Sequence, residues 1–168
     1  MADSITKLRS ATLVFLIKKT QGKITDICLA MKKRGFGKGR WNGVGGKVGD
    51  KQKETVAEAA ARETKEEIGV DIIGFYKVAE LAFYFVHNPA WDQEVHVFFA
   101  ERWFGDPGES DEMDPAWFSV PEIPYQKMWP DDEFWLPKVL AGNLLKAIFK
   151  FGENDVILEK EINAVDSL

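Results

Sequence analysis

Residues 45–70 read GGKVGDKQKETVAEAAARETKEEIGV, and the second half of this stretch has the signals of a helix. Thr55 and Glu58 have the spacing of a capping box, the hydroxyl bonding forward and the carboxylate reaching back. Alanines at 57, 59, 60 and 61 favour the helical backbone, and Gly69 suits the left-handed residue that ends it. At about 100° per residue, Val56, Ala60, Glu63 and Glu67 fall on one stripe, with Glu66 beside it. Two apolar residues followed by two acids on a core-facing stripe need an explanation. Like charges at i and i+4 cost an isolated helix roughly 0.2–0.5 kcal/mol, and burying them unpaired costs more. A divalent cation held between them removes both penalties. A solvated acidic face explains Glu58 and Lys65 on the other side of the helix, but not acids that continue an apolar stripe.

The run Arg62-Glu63-Thr64-Lys65-Glu66-Glu67-Ile68-Gly69-Val70 resembles the second half of the Nudix box, REUxEExGU, where U is a bulky aliphatic residue. Glu54 stands eight residues before Arg62, as that pattern requires. Two departures are visible. Thr64 occupies the first aliphatic position, and seven residues, not five, separate Gly46 from Glu54. The second is a two-residue insertion in the loop before the helix, where lengthening a chain costs little. The glutamate constellation is left intact. So many fixed positions at fixed spacing are far more specific than a lone glycine-rich loop.

With 168 residues, 45% of them hydrophobic and 29% charged, the chain has the balance of one globular domain spanning 1–168. Its formal net charge of -5 argues against a nucleic-acid polymer as partner. A small anionic nucleotide bridged by metal ions is compatible with it. Cys28, the single cysteine, lies in an apolar run and reads as an inert buried thiol. No intrachain disulfide is possible, and neither a signal core nor an 18-residue apolar run is present, so a cytoplasmic protein away from membranes is expected.

Along the chain, Leu13 to Ile17 and Ile24 to Met31 read as strands of a hairpin turning at Thr20-Gln21-Gly22-Lys23. The segment Lys32 to Arg40 is basic and glycine-rich: a flexible surface loop or a channel wall that meets phosphate or base. Val70 to Phe75, with a turn at Gly74, and Val78 to Val86 read as two further strands. Glu94 to Ala100 alternates, with Val95, Val97 and Phe99 on one face. His87 and His96 have no ligand-spaced partners and read as structural. After the acidic loop Asp106 to Asp114, Ala116 to Phe118 begins what is expected to be the last strand, ending at Pro121. Asp131 or Asp132 is expected to cap a helix running to about Phe149, on the helical spacing of Phe134, Trp135, Val139, Leu140, Leu144, Leu145 and Ile148. Val156 to Leu158 reads as part of a closing hairpin. The class is α/β (α+β), and the resemblance implies the Nudix sandwich, a mixed sheet between helices.

The flanks of the box carry a narrower resemblance. Met31 to Lys47, Ser110 to Met113 and Met128 to Asp132 are similar to the branch of the family that hydrolyses oxidised purine nucleoside triphosphates. This likeness runs from about Thr12 to Leu158 and is weakest between Phe85 and Glu94. It implies a base pocket made by Thr12, Lys32, Asn42, Phe83, Phe85, Met113, Trp129, Asp131 and Asp132, with Val44, Gly45, Gly46 and Lys47 also against substrate. Side-chain chemistry agrees: Trp129 offers a stacking face and Asn42 both a donor and an acceptor. Of two adjacent carboxylates in an aromatic setting, one could keep its proton and so offer both to a purine edge.

The resemblance also implies two or three Mg²⁺ ions, Mn²⁺ being an alternative, held by Glu63, Glu66, Glu67 and Glu112 with a carbonyl of Gly45 or Gly46. All-oxygen ligands suit such hard ions. Glu67 or Glu63 is the base, Arg62 orients the glutamates, and Lys47 contacts phosphate. The expected reaction yields the nucleoside monophosphate and pyrophosphate from an oxidised purine triphosphate, sanitising the nucleotide pool, with the chain acting as a monomer. Two alternatives stay open: another Nudix substrate, such as a dinucleoside polyphosphate, ADP-ribose or capped RNA, and a nucleotide-binding protein without catalysis.

Overall fold

Strand β1 spans Arg9–Thr20, longer than its apolar run, because polar residues at both ends still find partners in a sheet. The structure, a computed structural model, describes residues 8–49 and 53–168. Strand β2, Lys23–Lys32, returns antiparallel from β1. The turn between them has Gln21 at φ 52° and Gly22 at φ 78°, a pair of left-handed residues whose twist matches that of a hairpin. On the N-terminal side of Ile17 the two strands splay apart. The segment carrying β3, Trp41–Asn42, enters this gap: Val14 N–H donates to Val44 O at 2.6 Å and Thr12 N–H to Gly46 O at 2.8 Å. Gly43 and Gly45 permit the approach. A Cβ on Gly45 would lie 1.8 Å from the Thr12 carbonyl oxygen, which no side chain can tolerate.

Helix α1, Val56–Ile68, has both arms of the expected capping box, and Gly69 closes it at φ 75°. The cap is worth about 1 kcal/mol. Thr64 is fully buried and donates to Ala60 O at 2.7 Å, so its hydroxyl is satisfied within the helix. The inserted loop expected between Gly46 and Glu54 includes 50–52, which lie outside the described residues.

The two expected strands after Gly69 are one, β4, Asp71–Phe85. Gly74 marks a bulge instead of a turn: the register with the next strand slips around it, and a Cβ there would stand 2.8 Å from Arg102 Nε. Strand β5, Gln93–Phe104, pairs antiparallel with β4 and parallel with β1. Strand β6, Met113–Ser119, pairs with β2. It is not the last of the sheet. Helix α2 covers only Asp132–Leu140, and β7, Leu144–Phe151, follows where helix was expected. Gly142 at φ 103° breaks the helix. Leu145, Ala147, Phe149 and Phe151 are then buried in alternation while Ile148 is exposed. Strand β8, Ile157–Val165, closes the expected hairpin with β7.

The sheet runs β3-β2-β1-β5-β4-β7-β8, with β6 on β2, and mixes parallel and antiparallel pairs. Alternate residues of β1 face opposite ways. Val14 and Leu16 pack with Ala60 and Ile68 of α1, while Phe15 and Ile17 pack with Trp135, Leu136 and Val139 of α2. The helices therefore cover opposite faces, the expected mixed sheet between helices.

Candidate functional site

The acidic stripe of α1 lies over the segment that fills the gap between β1 and β2. Arg62 organises it. Its Nε and Nη2 grip both oxygens of Glu54 at 2.9 and 2.6 Å, Nη1 reaches Glu63 Oε1 at 2.9 Å and Glu66 Oε2 at 3.3 Å, and Nη2 donates to Lys47 O at 3.2 Å. The guanidinium, helped by Gly49 N–H, holds the Glu54 carboxyl down to about 2, and these acids raise the already high pKa of Arg62. Glu63 and Glu67 go the other way. Burial raises Glu63 in spite of Arg62, and burial pushes Glu67 up to about 7 although Gly45 N–H donates to its Oε2 at 3.0 Å. Repulsion from Glu112 adds to both.

Glu112 arrives from the loop before β6, turned by Ser110 Oγ, which accepts from the N–H groups of Glu112 and Met113 at 3.3 and 3.2 Å. Its carboxylate faces Lys32 at 3.6 Å and Arg34 at 3.4 Å. Sequence reading without the resemblance carried no signal for it, because its approach to α1 depends on the β2–β6 pairing. Together Glu63, Glu66, Glu67, Glu112, Arg34 and Lys47 line a groove of about 620 Å³. The groove fits divalent ions. Its donors are all oxygen, two of its acids are raised by burial and mutual repulsion, and a Cβ on Gly46 would fall 2.5 Å from the Glu63 carboxylate.

On the opposite face of the sheet lies a cavity of about 310 Å³ that shares Lys32, Gly45, Gly46 and Lys47 with the groove. Of the residues expected in a base pocket, Thr12, Lys32, Asn42, Phe83, Phe85, Met113, Trp129, Asp131 and Asp132 all line it. Val44 does not. It is 3% exposed and pairs with Val14, so its side chain belongs to the core under α1. Asn42 Oδ1 accepts from Gly43 N–H at 2.8 Å, which orients its amide. Thr12 Oγ1 lies 3.4 Å from both the N and the O of Gly46.

Neither aspartate caps α2 as expected. Asp131 is the N-cap residue but makes no side-chain capping bond. Its Oδ2 accepts from Trp135 Nε1 at 2.8 Å instead. Among the described residues Asp132 Oδ2 is buried without a hydrogen-bond partner, a costly state for a carboxylate. Burial pushes Asp131 up to about 6, and burial with repulsion from Asp131 pushes Asp132 well above the carboxylate range. Burial and mutual repulsion therefore both favour keeping a proton on the pair.

Phe36, Gln93 and Trp135 also line the cavity and were not anticipated. The basic loop is a wall of both spaces: Arg34 faces the groove and Phe36 the cavity. Phe36 packs on Trp129 with centroids 4.9 Å apart, and Arg40 stands 4.1 Å from the same ring while pairing with Asp155 at 3.0 Å.

Elsewhere Glu80, Glu94 and His96 bring ligand atoms within 4.8 Å of one another. Lys77 Nζ lies 2.8 Å from His96 Nδ1 and 3.0 Å from Glu80, so an ammonium already supplies the positive charge there. Cys28 is buried, which pushes its thiol up to about 12. Among the described residues no helix is long and apolar enough to cross a membrane.

A NUDIX domain model matches residues 7–139. The chain is 42% identical to the oxidized purine nucleoside triphosphate hydrolase of Mus musculus, across 95% of this chain and 97% of that one. It is also 42% identical to the protein of that name from Danio rerio, across 84% and 89%. Among solved structures, the mMutator MutT protein from Bacillus halodurans superposes with a TM-score of 0.79 at 20% identity, covering 93% of this chain and 98% of that one. The NUDIX domain of Shewanella oneidensis NrtR, complexed with ADP ribose, gives 0.62 at 12% identity, covering 81% and 87%.

Proposed function

This chain belongs to the Nudix family, and we propose that it hydrolyses oxidised purine nucleoside triphosphates to the monophosphate and pyrophosphate. The observation that carries the reading is the junction at Gly45–Lys47. There a groove of carboxylates meets an aromatic cavity lined by a buried pair of adjacent aspartates. A purine in the cavity would extend its phosphates across the shared wall to the groove. The 42% identity to hydrolases of oxidised purine triphosphates supports the same substrate. Fold alone would not, since the same architecture is found with ADP ribose in another protein.

Glu63, Glu66, Glu67 and Glu112, with a carbonyl of Gly45 or Gly46, would hold Mg²⁺ or Mn²⁺. Bound there, such ions neutralise phosphate charge and acidify water. The protein's own residues supply the rest. Glu67 takes the proton of the attacking water, because Glu63 is engaged by Arg62 and correspondingly less basic. Arg62 is a positioning residue, tying Glu54, Glu63 and Glu66 into one array. Lys32 and Lys47 line both spaces and attract the phosphates as they pass. In the cavity the aspartate pair presents one carboxylate and one carboxylic acid, acceptor and donor side by side, to a purine edge whose proton positions oxidation has changed.

Product analysis with Mg²⁺ on 8-oxo-dGTP, 2-hydroxy-dATP, dGTP, ATP, ADP-ribose and a diadenosine polyphosphate tests the reading. Monophosphate and pyrophosphate from the oxidised purines, at far higher kcat/KM than from dGTP, is the expected result. Preference for ADP-ribose or the diadenosine compound would overturn the base assignment.

A further inference from the structure

One wall of the base cavity changes character where β5 begins. Leu81, Phe83 and Phe85 from β4 and Val95 from β5 make it apolar, and Gln93 completes the row. The register places Gln93 opposite Phe83 on one side and Arg9 on the other. Residues directly opposite in a sheet share a face, so Gln93 stands on the cavity side by the same rule that puts Phe83 there. Gln93 is half-buried, and among the described residues no hydrogen bond uses its side-chain amide.

The neighbouring hydrogen bonds hold its backbone in place. Asp92 Oδ1 accepts from Phe85 N–H at 2.7 Å, and Arg9 Nη2 donates to Ala90 O at 2.7 Å. The amide thus projects from a pinned strand end, the kind of support that gives a polar group directional selectivity. Other polar side chains of the cavity include Asn42 of β3, Asp131 just before α2 and Asp132 at its start.

Resting on the base-cavity reading above, we infer that Gln93 is a specificity-determining residue. Its amide hydrogen-bonds an exocyclic group on the purine edge turned toward β4 and β5, so the base is read from two sides. A substrate that lacks the group leaves the amide unpaired in an apolar wall, and an unpaired polar group discriminates more strongly than a lost apolar contact.

The test is a cycle between residue and substituent, read by titration calorimetry with nucleoside monophosphates so that it does not depend on turnover. The ligands are 8-oxo-dGMP and three analogues, each lacking one of the 2-amino, 6-oxo or 8-oxo groups. For the unaltered protein one deletion should weaken binding about tenfold, and Gln93→Leu should abolish that penalty while leaving the other two unchanged. Identical penalties in both proteins would overturn the inference. Gln93→Met, closer in shape, carries the same expectation should the leucine variant not fold. If the unaltered protein binds no purine better than dCMP, the base-cavity reading fails and this inference with it. Purine binding with unchanged penalties removes Gln93 alone.

Discussion

The groove on the α1 face and the cavity on the α2 face both gather carboxylates, and burial lifts the pKa of Glu63 and Glu67 in the first and of Asp131 and Asp132 in the second. They differ in what surrounds the acids. Around Glu63 and Glu67 stand Arg62, Lys32, Arg34, backbone N–H groups and an opening to solvent. Around Asp131 and Asp132 stand Trp135, Trp129 and the apolar sheet, with the Trp135 indole N–H donating to Asp131. The first environment favours relief of repulsion by cations, the second by a proton. On the proposed function one functional group would serve two chemistries: a charged cluster for phosphate, and a proton-sharing pair for a base edge.

If that division holds, the two clusters fail separately. The largest effect is expected for Glu67→Gln, which should lower kcat by about a thousandfold. The affinity for a purine monophosphate should stay unchanged by calorimetry. Loss of that affinity as well would mean that groove and cavity do not work apart.

Asp132→Asn should lower kcat/KM for oxidised purines about a hundredfold and yet stabilise the protein at high pH. The aspartates bind protons more tightly folded than unfolded, so wild-type stability is fullest below about pH 4 and falls as pH rises through about 6, the value for Asp131. The asparagine variant should melt about 5 °C above wild type at pH 8, with no gain at pH 4. A gain that is the same at both pH values would place the effect outside the titration.

Arg62→Lys comes next. A lysine cannot reproduce the two-point grip on Glu54 while also reaching Glu63, so kcat should fall about tenfold, with KM nearly unchanged. The smallest effect is expected for Phe36→Ala, which removes a ring packed on Trp129 without touching the carboxylates. KM should rise about threefold, as for the loss of one aromatic contact, with kcat kept. A large fall in kcat from Phe36→Ala would show that the cavity wall also positions the phosphates.

Local spacing by itself determined the box helix, its cap, its left-handed end and the acids that share its stripe, because a helix sets the relations between i, i+3 and i+4 without help from the rest of the chain. It determined the hairpin at Gln21-Gly22 for the same reason. It misread residues 144–151, where Leu144, Leu145 and Ile148 satisfy a helical period while Leu145, Ala147 and Phe149 satisfy a strand period. Pairing with β4, far away in the chain, chose between them. The cavity residues that sequence reading passed over, Phe36, Gln93 and Trp135, come from a loop, a strand start and a helix. None has a spacing relation to the others. Only the splaying of β1 from β2, which lets Gly43 to Lys47 pass between the strands, joins a groove on one face of the sheet to a cavity on the other. That junction depends on sheet register and close backbone contacts between segments distant in sequence, which no local pattern encodes.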